Sequence, residues 1–263
     1  MMGDQSDKNE KEVVGEVNTG EYNARLAQSP SETAKFADLY PERKGSRKVY
    51  TKYEYMKGKA RSEQYKERCG INVTKCLEYS PLVKLMLGAL KSQGCITDMF
   101  ERHFSCDICK EGTEFHNQGG YDDSANQVFV CANNFGKSYG VVHGTILRNL
   151  ITMFDVCTRK VDFNNVNHLA CIEIRKANLA GCNFMIHFTR NNPLAVKEQH
   201  ASCVANSAIT VLNSKIDNYE LAKKSVNNVF SKCYNDLEPI GRRCKDDVDM
   251  KRAYKERYLF GYE

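Results

Sequence analysis

The sequence predicts an α+β domain in which helices pack around a short antiparallel sheet, and three observations carry that reading. Ser80-Pro81 reads as a helix start, because proline suits the first helical turn, and Leu82, Leu85, Met86, Ala89 and Leu90 follow at helical spacing before Gly94. Gln127-Val-Phe-Val-Cys131 reads as a strand, bounded by Gly-, Asp- and Asn-rich sequence and paired through the Gly119-Gly120 region. Beyond Gly140, residues Ile146, Leu147, Leu150, Ile151, Phe154 and Cys157 form an i, i+3/i+4 stripe. Strands followed by helices, without βαβ alternation, place the chain in the α+β class.

Taken in order, residues 1–66 contain few aliphatic clusters and no cysteine, so they read as a largely disordered polar and basic extension. The folded domain is expected over residues 67–263. After the Pro81 helix and the strand region come the helix centred on Leu150 and two more amphipathic helices, near 168–180 and 219–233. The latter places Tyr219, Ala222, Val226, Val229, Phe230 and Cys233 on one face.

Composition excludes several function classes. The chain of 263 residues is 41% hydrophobic and 27% charged. In its most apolar segment the uninterrupted run spans only Leu85 to Leu90, well short of the roughly 20 residues a membrane-spanning helix needs. Membrane contact is therefore expected to be peripheral. The net charge of +5 is too small to imply nucleic acid by itself. Between Tyr40 and Arg68, however, ten Lys/Arg face four Asp/Glu, with five tyrosines interleaved. Such a stretch suits a solvated arm, or less readily an anionic lipid or nucleic-acid surface.

Twelve cysteines lie at or after Cys69. That number suits an oxidising compartment, yet MMGDQSDKNEKEVVGEV has neither the apolar core of a secretory signal nor the basic character of a mitochondrial presequence. Cys106-Asp-Ile-Cys109 has no second CxxC to complete a zinc ribbon, so a structural disulfide role is the stronger reading. The six histidines (103, 116, 143, 168, 187 and 200) include no HxxxH or HExxH pair, and each reads as a core or surface histidine. Phosphate-loop and GxSxG motifs are absent.

The blocks PLVKLMLGALKSQGC, RHFSCDIC, GGYDDSANQVFVCANN, FDVCTRKVDF, NHLACIEIRKANLAGC and FSKCYNDLEPIGR occur in this order. Together they resemble the mitochondrial inner-membrane zinc metalloproteases that mature and assemble an ATP synthase membrane subunit, over roughly residues 67–258. The resemblance implies a zincin-like, disulfide-cross-linked domain, held peripherally on the intermembrane-space side of the inner membrane. Import by disulfide trapping there would need no presequence. Ten cysteines match family positions and are the implied disulfide candidates: Cys69, Cys95, Cys106, Cys109, Cys131, Cys157, Cys171, Cys182, Cys203 and Cys233. Their pairing stays open, and Cys76 and Cys244 read as additions.

Where the family carries HELIH, this chain reads Arg148-Asn149-Leu150-Ile151-Thr152. Zinc in such sites is held by two imidazoles one helical turn apart, with the glutamate activating metal-bound water. Arginine has no lone pair to donate, asparagine takes up no proton near neutral pH, and threonine offers a weak neutral oxygen. No catalytic or metal-binding residue is therefore assigned, and no cofactor is expected, although active family members use zinc. Arg148, Thr152 and Asp155 share a helix face, and Asp155 and Glu173 match acidic family positions. The Arg148 cation is expected to sit between those two carboxylates in place of the metal.

Two functions of different class follow. A catalytically inactive assembly or chaperone factor, with an ATP synthase membrane-sector subunit as partner and no nucleic acid, is favoured. An active zinc metalloendopeptidase that matures an ATP synthase subunit precursor is the alternative.

Overall fold

The computed structural model describes residues 59–96, 103–109, 118–136, 138–182, 196–244 and 246–262. Residues 1–58 lie outside the described residues, with most of the basic tyrosine-rich stretch, as do His116 and His187. The first described helix, α1 (Lys59–Tyr79), begins upstream of the boundary expected at residue 67. Cys69, Val73 and Cys76, inside the expected domain, bury the inner face of its later turns, and Tyr65 of its earlier turns packs against the same cluster.

Ser80 caps α2 (Pro81–Ser92): its hydroxyl accepts from the Val83 amide at 3.3 Å. Gly94, at φ +72°, lets the chain leave the helix in the left-handed region. The next elements are β1 (Phe104–Asp107), β2 (Gly119–Asp122), β3 (Gln127–Cys131) and the single turn α3 (Ala132–Phe135). The sheet order is β1-β3-β2. As the sequence indicates, β2 and β3 form an antiparallel pair with Gly120 opposite Phe129, whereas β1 runs parallel to β3. The sheet is thus mixed rather than wholly antiparallel. At Gly120 a Cβ would come within 2.7 Å of the Phe129 ring, so the glycine is what admits the aromatic side chain.

The central element is α4 (Tyr139–Thr158), packed against α1, α2 and the sheet. Its residues Ile146, Leu150, Ile151 and Met153 are fully buried. Retention of Leu150 and Ile151 inside the altered slot is therefore explained by packing, since truncating either to alanine costs about 2–5 kcal/mol. A second apolar cluster joins α5 (Val166–Lys176), its π-helical continuation Ala177–Gly181, α6 (Val196–Ile216) and α7 (Tyr219–Asn235). The chain returns to the first cluster through α8 (Asp247–Glu256) and a 3-10 turn at Arg257–Phe260. No described helix is long and apolar enough to cross a membrane.

All ten cysteines that match the family are oxidised, in the pairs Cys69–Cys106, Cys95–Cys157, Cys109–Cys131, Cys171–Cys233 and Cys182–Cys203. The two cysteines of the CxxC motif bond to different partners rather than to each other. Cys76 and Cys244 are free thiols.

Candidate functional site: a degenerate metal centre

The altered slot occupies the middle of α4, where Asn149 and Thr152 are buried and Arg148 is half-buried. Buried polar side chains need partners, and these two bond back to their own helix. The Asn149 amide donates to the Thr145 carbonyl at 2.8 Å, and the Thr152 hydroxyl to the Arg148 carbonyl at 3.4 Å.

Asp155, one turn further on, is buried, and its Oδ2 accepts from Nε of Arg175 at 2.9 Å. Arg175 is itself 0% exposed. Its remaining nitrogens donate to the Asp236 carbonyl at 3.2 Å and the Glu238 carbonyl at 2.6 Å, and it forms an ion pair with the Asp236 carboxylate. Arg159 adds contacts to Asp155 at 3.8 Å and to Asp236 at 2.6 Å. One guanidinium thus ties α4, α5 and the segment after α7 together.

Glu173 has a separate set of partners. It is 1% exposed, and its Oε1 accepts from the Lys176 ammonium at 3.0 Å and from that of Lys215, in the last turn of α6, at 2.7 Å. Burial opposes the charged carboxylate, but Lys176, Lys215 and Arg148 together hold its pKa well below the usual range. Burial, with repulsion from Lys215 and Arg148, brings the pKa of Lys176 down to about 8 against the attraction of Glu173.

These contacts correct the expected arrangement, in which Arg148 stands between Asp155 and Glu173. Arg175 bonds Oδ2 of Asp155 and two lysines bond Oε1 of Glu173, while Asp155 Oδ1 and Glu173 Oε2 are buried without a hydrogen-bond partner among the described residues, and the Arg148 side chain makes no ion pair with either carboxylate. Only its field reaches Glu173. Residues two apart on a helix face different directions, which is why Glu173 and Arg175 serve separate clusters. Sequence reasoning missed Arg175, Lys176 and Lys215. The first two lie in the quoted block NHLACIEIRKANLAGC, beside Glu173. Lys215 is 42 residues away and carries no local signal.

The donor set does not fit zinc. No group of three or more His, Cys, Asp or Glu side chains among the described residues is placed to hold a metal. The nearby Glu173 carboxylate is held by ammonium groups, and Arg148 and Thr152 offer a protonated guanidinium and a hydroxyl bonded to its own helix rather than imidazole donors. The described histidines are engaged elsewhere: His143 with Ser80 at 2.7 Å, His103 with the Asn126 carbonyl, His168 with the Asp162 amide, and His200 with Tyr234 and the Cys182 carbonyl.

Residues 67–241 match the Peptidase M76 family. The chain is 36% identical over 222 residues to a Danio rerio protein named mitochondrial inner membrane protease ATP23 homolog, covering 83% of this chain and 82% of that protein. The proteins of the same name from Homo sapiens and Xenopus laevis are 38% and 37% identical, covering 72% and 73% of this chain and 76% and 80% of theirs. No solved structure matches.

Proposed function

The chain belongs to the peptidase M76 family, and from that premise we propose that it works without peptidase chemistry, as a binding or assembly factor for the membrane sector of the mitochondrial ATP synthase. The observation that carries this reading is the state of the slot. Arg148, Asn149 and Thr152 stand where a zincin needs two imidazoles and a base, and the neighbouring Glu173 is bound by Lys176 and Lys215. Without a metal-activating donor set or a general base, the chain has no means to activate water at this position. The fold around the slot is intact, so a surface that recognises a client can persist after the chemistry is gone.

The names of the relatives support an inner-membrane location, and the lack of a spanning helix among the described residues supports peripheral attachment. Five disulfides suit the intermembrane-space side.

Metal analysis of the purified, oxidised protein tests the reading directly. The expected result is no stoichiometric zinc and no chelator-sensitive peptide cleavage. Stoichiometric zinc with such cleavage would establish the active metalloendopeptidase instead. Restoring the slot with Arg148→His, Asn149→Glu and Thr152→His is expected to leave zinc affinity weak until Lys176→Ala and Lys215→Ala are both added, because Glu173 otherwise stays paired. For the client, crosslinking in mitochondria should recover an ATP synthase membrane-sector subunit, and chelator should leave the yield unchanged.

A further inference from the structure

The last described segment presents a basic helix face that ends in an apolar tip. On α8, Lys251, Arg252 and Lys255 recur at three- and four-residue spacing on the exposed side, while Met250, Ala253 and Tyr254 pack inward against the first apolar cluster. Beyond the helix, the 3-10 turn holds Tyr258, Leu259 and Phe260 in a row, 69%, 67% and 52% exposed. This turn is pinned rather than frayed. The Gly261 amide donates to the Tyr258 carbonyl at 3.1 Å and the Tyr262 amide to the Arg257 carbonyl at 3.2 Å, with Gly261 at φ +75°. Tyr262 then returns to the core, and Phe260 stacks on it at 6.0 Å and rests on Gly241, where a Cβ would come within 2.7 Å of the ring. The acidic residues of the segment are engaged or distant. Glu256 pairs with Arg242, Asp246 caps the helix through the Val248 and Asp249 amides at 2.9 Å, and Asp247 and Asp249 lie in the first turn, away from the tip.

We propose that the outer face of α8, with the Tyr258–Phe260 tip, is the surface by which the chain lies on an anionic lipid bilayer. The proposal rests on the reading of peripheral attachment to the inner membrane, and it names the surface that performs it. Apolar and aromatic side chains enter the boundary between headgroups and acyl chains, while lysine and arginine beside them reach lipid phosphates on long apolar stems. From Lys251 to Leu259 the helical rise spans only about 12 Å, so cations and tip can meet one flat surface. Three apolar residues give weak attachment alone, and basic residues at their side supply the second signal that stable binding needs. Charge decides the occupant. A purely apolar client segment would cover the tip and leave three cations without counter-charge, whereas an anionic bilayer satisfies both.

The chain has no tryptophan, so Leu259→Trp places a single fluorescent reporter at the tip. With the full oxidised chain, its emission should shift to the blue on adding vesicles of phosphatidylcholine mixed with phosphatidylglycerol. Lys224→Trp, at an exposed position on α7, should not respond. Co-sedimentation with the same vesicles reads affinity. Lys251→Gln, Arg252→Gln and Lys255→Gln should each weaken binding by about fivefold, and added salt should weaken the wild type. Leu259→Ser should cost at least about tenfold. All four positions are exposed, so the variants keep the fold. No binding to the anionic vesicles, a silent Leu259→Trp reporter, or wild-type affinity with all three cations replaced overturns the proposal. A triple variant that binds vesicles normally but loses the client crosslink overturns it in favour of a protein-docking face. Fractionation of mitochondria separates the two readings: a chain absent from the inner membrane removes the location and the surface together, while a membrane-bound chain with a silent reporter removes this surface alone.

Discussion

Glu173 and Arg175 stand two positions apart on α5, each buried, each holding a different part of the molecule. Arg175 pairs with Asp155 and Asp236 and donates to two carbonyls at once, so its removal takes the closest cation from a buried carboxylate and frees two acceptors. Arg175→Met is accordingly expected to lower unfolding stability by about 3–5 kcal/mol. Arg148→Ala, in contrast, removes no ion pair and is expected to cost under about 1 kcal/mol. Urea unfolding of the two variants against wild type checks both values. Similar losses for the pair would restore Arg148 as the cation that partners Asp155.

At the scale of elements, α2 and α4 are joined by the Ser80–His143 hydrogen bond at 2.7 Å. Burial lowers the pKa of His143 from its ordinary 6.5, with Asp247 of α8 pulling weakly the other way. The folded state therefore refuses a proton that the unfolded chain accepts, so this contribution to stability is complete above pH 6.5 and is lost as the pH falls below it. His143→Gln should flatten that part of the profile when urea midpoints are compared from neutral to mildly acidic pH. An unchanged slope would mean that the link does not titrate. Glu173 acts at lower pH with the same sign, because its carboxyl is held below its unfolded value of 4.5. Lys176 acts above neutrality: its deprotonation near pH 8, ahead of the unfolded chain at 10.5, makes stability rise with pH across that window.

At the scale of the whole molecule, the covalent links respect the two apolar clusters. Three disulfides tie α1 to β1, the segment after α2 to α4, and the segment after β1 to β3, and two tie α5 to α7 and the end of the π-helical turn to α6. None of the five crosses from one cluster to the other. That junction rests on packing of α4 against α5 and on the Arg175 ion pairs. Each bridge closes a loop in the unfolded chain and is expected to stabilise by about 2–4 kcal/mol. Alkylation of unreduced, denatured protein should label two thiols, Cys76 and Cys244, and reduction should raise the count to twelve. Ten or more thiols reacting without reductant would exclude the disulfide framework.

Much of this architecture is legible in the sequence, because it depends on neighbours in the chain. The Ser80 cap and Gly94 stop of α2, the Gly119–Gly120 pairing with β3, the apolar stripe of α4 and the Arg148-Asn149-Leu150-Ile151-Thr152 run within it are all local patterns. The α6 helix shows where such patterns fade: among its described side chains, the buried ones are His200, Val204, Ala208, Ile209 and Leu212, set among polar residues. The tertiary structure alone decides which cysteines pair, that β1 runs parallel to β3, and which cations meet Asp155 and Glu173. Beside the local partners Lys176 and Arg159, the decisive ones are distant in the chain: Asp155 and Arg175 are 20 residues apart, Glu173 and Lys215 42, and Arg175 and the Glu238 carbonyl 63. Helical periodicity says which side of a helix a charge occupies. Which opposite charge waits there depends on how the helices pack, and packing is a property of the folded chain as a whole.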